Sequence, residues 1–187
     1  MVPDRYRGRV NEARLEDTTY GRGPVSDGWF VVNVRDAAWM HSPKFGSACV
    51  IETDQVSFPQ VGYTIAVLPE GGSSGLYHRE DDQEDFLVLS GECIAIVEGE
   101  ERRLRAWDLL HCPAGTEHVV VGAGPDPCVV FMAGARQHRG STVYLRNEVA
   151  LRHGVSVETD TDSGQVAYAP FPAWEPGAPE SSRRPFA

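Results

Sequence analysis

The sequence predicts an all-β fold, a barrel or sandwich of short strands in one domain with extensions at both ends. Three observations predict it. Between Gly62 and Met132, β-branched and aromatic runs recur at near-regular spacing with Gly, Pro, Asp and Ser between them. His78 and Glu80, at i and i+2, leave the same face of an extended strand, a short turn returns Glu84, and His118 follows beyond further hairpins. A rolled antiparallel sheet closes that separation and a helix does not. Finally, 187 residues without an internal repeat suit one substantial core and would cramp two.

The elements follow in order. Residues 1–27 carry many charges and several glycines, and are expected as a flexible arm. Residues 28–59 are expected as pre-barrel strands: Trp29–Val34 and Ala48–Ile51 read as strands, and Asp36–Met40 as a short helical turn. Trp29, Trp39 and Phe45 give this segment enough apolar surface to predict packing on the outside of the barrel or on a dimer partner. The barrel proper is expected over 60–145. Gly62–Leu68 is a strand ended by Pro69. Glu70–Gly75 is a glycine-rich loop with no Lys-Ser/Thr and no helix after it, which favours close backbone approach over a phosphate cradle. Phe86–Leu89 and Cys93–Val97 flank Ser90-Gly91-Glu92 as a hairpin, and Glu98-Gly99-Glu100 reverses the chain into Arg102–Ala106. Trp107–His111, Val119–Val121, Val129–Met132 and a closing Thr142–Leu145 complete the set. Over 146–187, Glu148–His153 is a short helix stopped by Gly154, followed by a Pro-rich tail whose Ala169–Trp174 segment can strap onto a surface.

Composition narrows the function. Hydrophobic content of 41% and charged content of 24% are those of a globular protein. No apolar run of about 18 residues predicts a membrane span, and the charged N-terminus lacks a secretory signal, so a cytoplasmic protein is expected. With 17 basic and 27 acidic residues, the formal charge of −10 disfavours nucleic acid as a partner. Arg102, Arg103 and Arg105 read as the solvated edge of an outer hairpin. Cys49, Cys93, Cys112 and Cys128 show no Cys-x-x-Cys pairing and are expected as reduced, buried thiols. Cys112, beside His111 and near His118, leaves two readings open, a packed strand-end residue or a thiolate at the site. Asp160-Thr161-Asp162 lacks the further oxygen ligands of a calcium loop.

At the ligand-bearing residues the chain resembles the cupin family. The first cupin motif, Gly-x5-His-x-His-x3,4-Glu-x6-Gly, is met by Gly72, His78, Glu84 and Gly91, with Glu80 in place of the second His. The second, Gly-x5-Pro-x-Gly-x2-His-x3-Asn, is met by Pro113, Gly115 and His118, with Trp107 at the leading Gly and Gly122 at the trailing Asn. The resemblance implies a single antiparallel jelly-roll β-barrel holding a divalent metal at its inner end. It implies no particular reaction.

The metal ligands so implied are His78, Glu80, Glu84 and His118. Two imidazoles and two carboxylates suit Zn, Mn, Fe(II) or Ni without choosing among them. Glu80 can ligate, or turn aside and leave a facial triad of two His and one carboxylate with open positions. Tyr63, Tyr77, Phe86 and Phe131 are the candidate lining of a pocket for a small-molecule substrate. Three function classes stand open: a metal-dependent enzyme of oxygenase, isomerase or decarboxylase type, a non-catalytic binder of a small molecule or sugar, and a metal-stapled structural oligomer. A homodimer is expected from the apolar N-terminal strands and from the habit of the family.

Overall fold

The computed structural model describes residues 9–18 and 21–177. In chain order the strands are β1 (Leu15–Thr18), β2 (Gly21–Pro24), β3 (Ala38–Ser42), β4 (Gly46–Val50), β5 (Val61–Leu68), β6 (His78–Arg79) and β7 (Glu84–Ser90). They continue with β8 (Glu92–Val97), β9 (Glu100–Arg105), β10 (Leu109–Cys112), β11 (His118–Gly122), β12 (Cys128–Ala135) and β13 (Val143–Tyr144). Helices α1 (Glu148–Arg152) and α2 (Gly164–Tyr168) precede a last strand, β14 (Glu175–Pro176). Two antiparallel sheets face each other, one ordered β10-β7-β12-β5-β4-β3-β14 and the other β13-β6-β11-β8-β9, which is a jelly roll.

Strand alternation builds the core between the sheets. Ala66 and Leu68 of β5, Phe86 and Val88 of β7, Cys93 and Ala95 of β8, Val120 of β11, and Cys128 and Val130 of β12 point inward and pack together. A fully buried side chain such as Val88 or Val120 contributes about 1.5–3 kcal/mol. The outward residues are covered too. Val67, Ile65, Val129 and Leu89 meet Trp39, Ile51, Phe30, Val32 and Phe58, so within segment 28–59 β3 and β4 extend the sheet beside β5 while the flanking residues Phe30, Val32 and Phe58 cover its outer face. Ile96, Val119 and Val121 are capped by Ala150 and Val155 from the α1 region. Burial on both faces is why β11 reads as an unbroken valine run rather than an alternation.

Four expectations are corrected. The segment expected as a flexible arm carries the β1–β2 hairpin, and its glycine at 21 serves close approach: at φ +127° a Cβ there would sit 2.3 Å from the Ala37 carbonyl oxygen. Trp29–Val34 is not a strand. Its alternating Phe30, Val32 and Val34 pack on the sheet, while Trp29 forms an isolated bridge to Glu12 and donates its indole N–H to the Val10 carbonyl at 3.2 Å. Asp36–Met40 forms no helical turn, because a tight turn ends at Asp36 and β3 begins at Ala38, with Trp39 buried and its indole N–H donating to the Val34 carbonyl at 2.8 Å. The C-terminal region holds a second helix, α2, capped by the Ser163 hydroxyl, and Phe171 and Trp174 strap onto Phe45 with ring centroids 5.3 and 5.8 Å away.

Candidate metal centre

The site forms where the two sheets open at one end. His78 in β6 and His118 in β11 are direct cross-strand partners, so their rings share one face with centroids 4.7 Å apart. Glu84 comes from the opposite sheet, at the start of β7, on the inward face that also carries Phe86 and Val88. Phe86 meets His118 edge-on at 5.2 Å. Gly134 lies beside Glu84 in the neighbouring strand, and a Cβ there would already touch Glu84 Oε1 at 3.4 Å. The two motif segments are tied together by the Gly115 amide, which donates to the Glu80 carbonyl at 2.7 Å.

One carboxylate oxygen, Glu84 Oε2, stands 2.8 Å from His118 Nε2 and 3.3 Å from His78 Nε2. The other ring nitrogens are already engaged: His78 Nδ1 lies 2.7 Å from the Leu76 carbonyl and His118 Nδ1 lies 2.9 Å from the Thr116 carbonyl. A carbonyl only accepts, so each Nδ1 carries a proton and each neutral imidazole directs its Nε2 lone pair at Glu84. Two lone pairs and a carboxylate oxygen repel unless a cation lies among them, either a proton on Nε2 or a metal. Ligand atoms of His78, Glu84 and His118 all lie within 4.8 Å of one another, so this donor set fits a divalent ion. These three residues would hold it, with carbonyls fixing the ring tautomers from behind.

The electrostatics agree. Burial opposes charge on His78, but the hydrogen bond and charge of Glu84 outweigh it and raise its pKa above the usual imidazole value. Burial likewise opposes ionisation of Glu84, and the two imidazoles overcome it, holding the carboxyl at about 2. Glu80 stands outside the three-residue group, with its Oε2 accepting from the Thr142 hydroxyl at 3.2 Å. Burial, and then the charge of Glu84, raise its pKa.

A cavity of about 310 Å³ opens beside the centre, lined by Gly62, Thr64, Glu80, Asp82, Glu84, Met132, Arg136 and Arg139 among others. Of the four aromatic residues expected to line a pocket, Tyr63 lines this cavity; Phe86 is corrected, since it is buried in the core against His118 and does not reach the cavity. Tyr77 is corrected: it is fully buried on the outer side of its sheet with Ile96 and Val155, and its hydroxyl bridges Glu117 and the Gly99 amide. Phe131 is corrected as well, since it alternates out of phase with the inward Val130 and Met132 and turns toward Tyr63 at 6.2 Å. Cys112 is buried, and burial pushes its thiol up to about 12, so the packed reading holds over the thiolate.

Sequence reasoning missed Asp82, Arg136, Arg139 and Thr142. Asp82 is bound by the exposed His138 through both its amide, at 2.7 Å, and its ring, at 3.0 Å.

An antiparallel jelly roll with an inward His–Glu–His group at one end defines a class, the cupin-type single-domain protein. Residues 64–134 match the family described as Cupin domain, a span that contains all four expected ligands. Among solved structures, a sugar phosphate isomerase from a cupin superfamily of Silicibacter pomeroyi is 18% identical, with a TM-score of 0.50, covering 57% of this chain and 76% of its own. The polyketide cyclase RemF from Streptomyces resistomycificus is 14% identical, with a TM-score of 0.49 over 58% of this chain and 80% of its own. KdgF from Halomonas sp. is 25% identical, with a TM-score of 0.38 over 44% and 77%. The first of these likenesses is one of fold alone. No curated protein matches the sequence. Among the described residues no helix is long and apolar enough to cross a membrane.

Proposed function

We propose that this cupin is a cytoplasmic, homodimeric, metal-dependent enzyme acting on a small organic molecule, of oxygenase, isomerase or decarboxylase type. The observation that carries it is the convergence of two Nε2 atoms, whose Nδ1 protons are fixed on carbonyls, upon one carboxylate oxygen beside an accessible cavity. Three protein ligands leave coordination positions for a substrate, where a metal polarises a carbonyl or hydroxyl oxygen. A staple would need no such cavity. His78, Glu84 and His118 would hold the ion, while Glu80 lines the cavity, where it would serve as a further ligand or handle a substrate proton.

Four unbridged cysteines agree with a reducing compartment. The apolar N-terminal segment no longer argues for a dimer, since it packs within the chain; exposed Trp107 and Leu109, at and beside edge strand β10, supply apolar surface for one. A monomer in light scattering would remove the homodimer alone.

The test is elemental analysis of protein purified without added metal, beside Glu80→Ala and His118→Ala, followed by aerobic and anaerobic activity screens on the Fe(II), Mn and Zn forms. Metal retained in wild type and lost in His118→Ala is expected. Wild type that takes up no metal refutes the centre, and metal forms that bind small ligands yet stay inert refute the enzyme.

A further inference from the structure

We propose that the cavity takes a substrate bearing one anionic group, a carboxylate or a phosphate, and that Arg139 receives it at the rim. This rests on the reading of the centre as a substrate-binding metal site and names the class of substrate.

Two arginines line the cavity and the fold uses them differently. Arg136 is held: its guanidinium forms a two-pronged pair with Glu52, 2.6 and 2.5 Å, and donates to the Phe58 carbonyl at 2.8 Å. It lies across Gly62, where a Cβ would come within 2.3 Å of its Nε. Its charge and most of its donors are already used. Arg139 forms no close ion pair among the described residues: its charge helps Arg136 hold the Glu52 carboxyl below its ordinary value, and its one hydrogen bond there is a long contact of 3.3 Å to the Phe58 carbonyl. A guanidinium has five donors in a planar fork suited to carboxylate and phosphate oxygens, and Arg139, which lines the cavity, has most of that capacity left for a ligand there.

The loop carrying Arg139 is fixed on both sides. His138 is bound to buried Asp82, the Ser141 hydroxyl accepts from the Asp81 amide at 2.9 Å, and Thr142 donates to Glu80. A cation on a tethered loop loses little entropy on binding an anion. The acidic residues of the same cavity are more buried than the exposed Arg139: Asp82 is occupied by His138, Glu84 by two imidazoles, and Glu80 stands beside Glu84. A positive rim over an acidic floor orients a polar substrate with its anionic group toward Arg139 and its reacting end toward the centre.

Chelator-treated wild type, Arg139→Gln and Arg139→Lys would be titrated with 3-hydroxybutyrate and with glycerol 2-phosphate at constant ionic strength, with glycerol as the neutral control, and followed by amide chemical shifts. Saturable binding of at least one anion by wild type is expected, and the stronger arm tells carboxylate from phosphate. Arg139→Gln should weaken it about ten- to a hundred-fold, as loss of a charge-assisted hydrogen-bond pair does, and Arg139→Lys should fall between. Metal content of Arg139→Gln should equal that of wild type. Absence of saturable binding by wild type, or equal affinity in Arg139→Gln, overturns the proposal. Because these titrations need no metal, anion binding through Arg139 in a protein that takes up no metal would refute the proposed enzyme while leaving this site standing.

Discussion

Acidifying the metal-free protein should release the centre from its carboxylate side. Glu84 titrates at about 2 in the fold against an ordinary value of 4.5, and that difference, at 1.36 kcal/mol for each pH unit, amounts to about 3 kcal/mol. Because the folded value is the lower one, this stability is present above pH 4.5 and is lost as the pH falls from there toward 2. His78 has the opposite sign: its folded value lies above 6.5, so its share is complete below 6.5 and disappears as the pH rises through the folded value. Both limbs run through Glu84, which His118 and then His78 hold ionised and which in turn favours the charged form of His78. Metal-free protein should therefore be most stable between pH 4.5 and 6.5 so far as these groups decide it. Urea denaturation followed by tryptophan fluorescence at a series of pH values measures the profile. Glu84→Gln should lower it by about 3 kcal/mol in that window and flatten both limbs. A divalent ion should invert the upper limb, since ligation requires deprotonated Nε2 atoms. A Glu84→Gln variant that keeps the parent profile would refute the ion-pair account.

Trp107→Gly should stabilise the protein by about 1 kcal/mol in the same urea assay, because Trp107 adopts φ +76° while its side chain is 78% exposed and loses little packing. Loss of stability in that variant would mean that the indole packs on a second subunit. All four cysteines are buried, so a thiol reagent at neutral pH should modify none in the native protein and four after unfolding; rapid native labelling of Cys112 would reopen the thiolate reading. Glu52→Gln should cost about 2 kcal/mol in denaturation midpoint terms, since it leaves the half-buried Arg136 without its partner, and an unchanged midpoint would show that the pair is structurally idle.

The centre was legible in the sequence to an unusual degree because its geometry is strand geometry. His78 and His118 lie opposite each other in adjacent strands, and the motif spacing that identifies them encodes that register. The departures from the motif are legible in hindsight. Trp107 stands where Gly is expected because the position needs a positive φ, and it holds that conformation without the residue that suits it. Gly91 keeps both features, φ +74° and a Cβ position 2.6 Å from the Pro127 carbonyl. The inward or outward sense of Tyr77 and Phe131 was not legible, because both sheets are covered on their outer faces and apolar residues therefore mark neither face. The Arg139 loop was hidden for another reason: its order comes from long-range polar contacts, Asp82 to His138 and Asp81 to Ser141, which leave no periodic trace.

The position of the centre follows from how the core is graded along the strands. At one end β5 and β12 finish in fully buried Leu68 and Cys128, while at the other they run out to the exposed Val61 and half-buried Ala135. The sheets pack apolar side chains from the first end as far as Phe86 and Met132, and there the fill changes to Glu84, His118 and His78. Gly62 and Gly134, paired across β5 and β12 just beyond, contribute no side chain to that space, so the cavity begins where the core stops. A centre at this boundary has two environments at once. Its His118 side is dry and strengthens every charge interaction, while its Glu84 side, 22% exposed, faces the opening through which a small molecule must come. Filling the opening from within, by Gly134→Val, should therefore cost small-ligand access and metal uptake together, because a Cβ there already meets the Glu84 carboxylate at 3.4 Å; metal content equal to wild type by elemental analysis would count against Glu84 as a ligand.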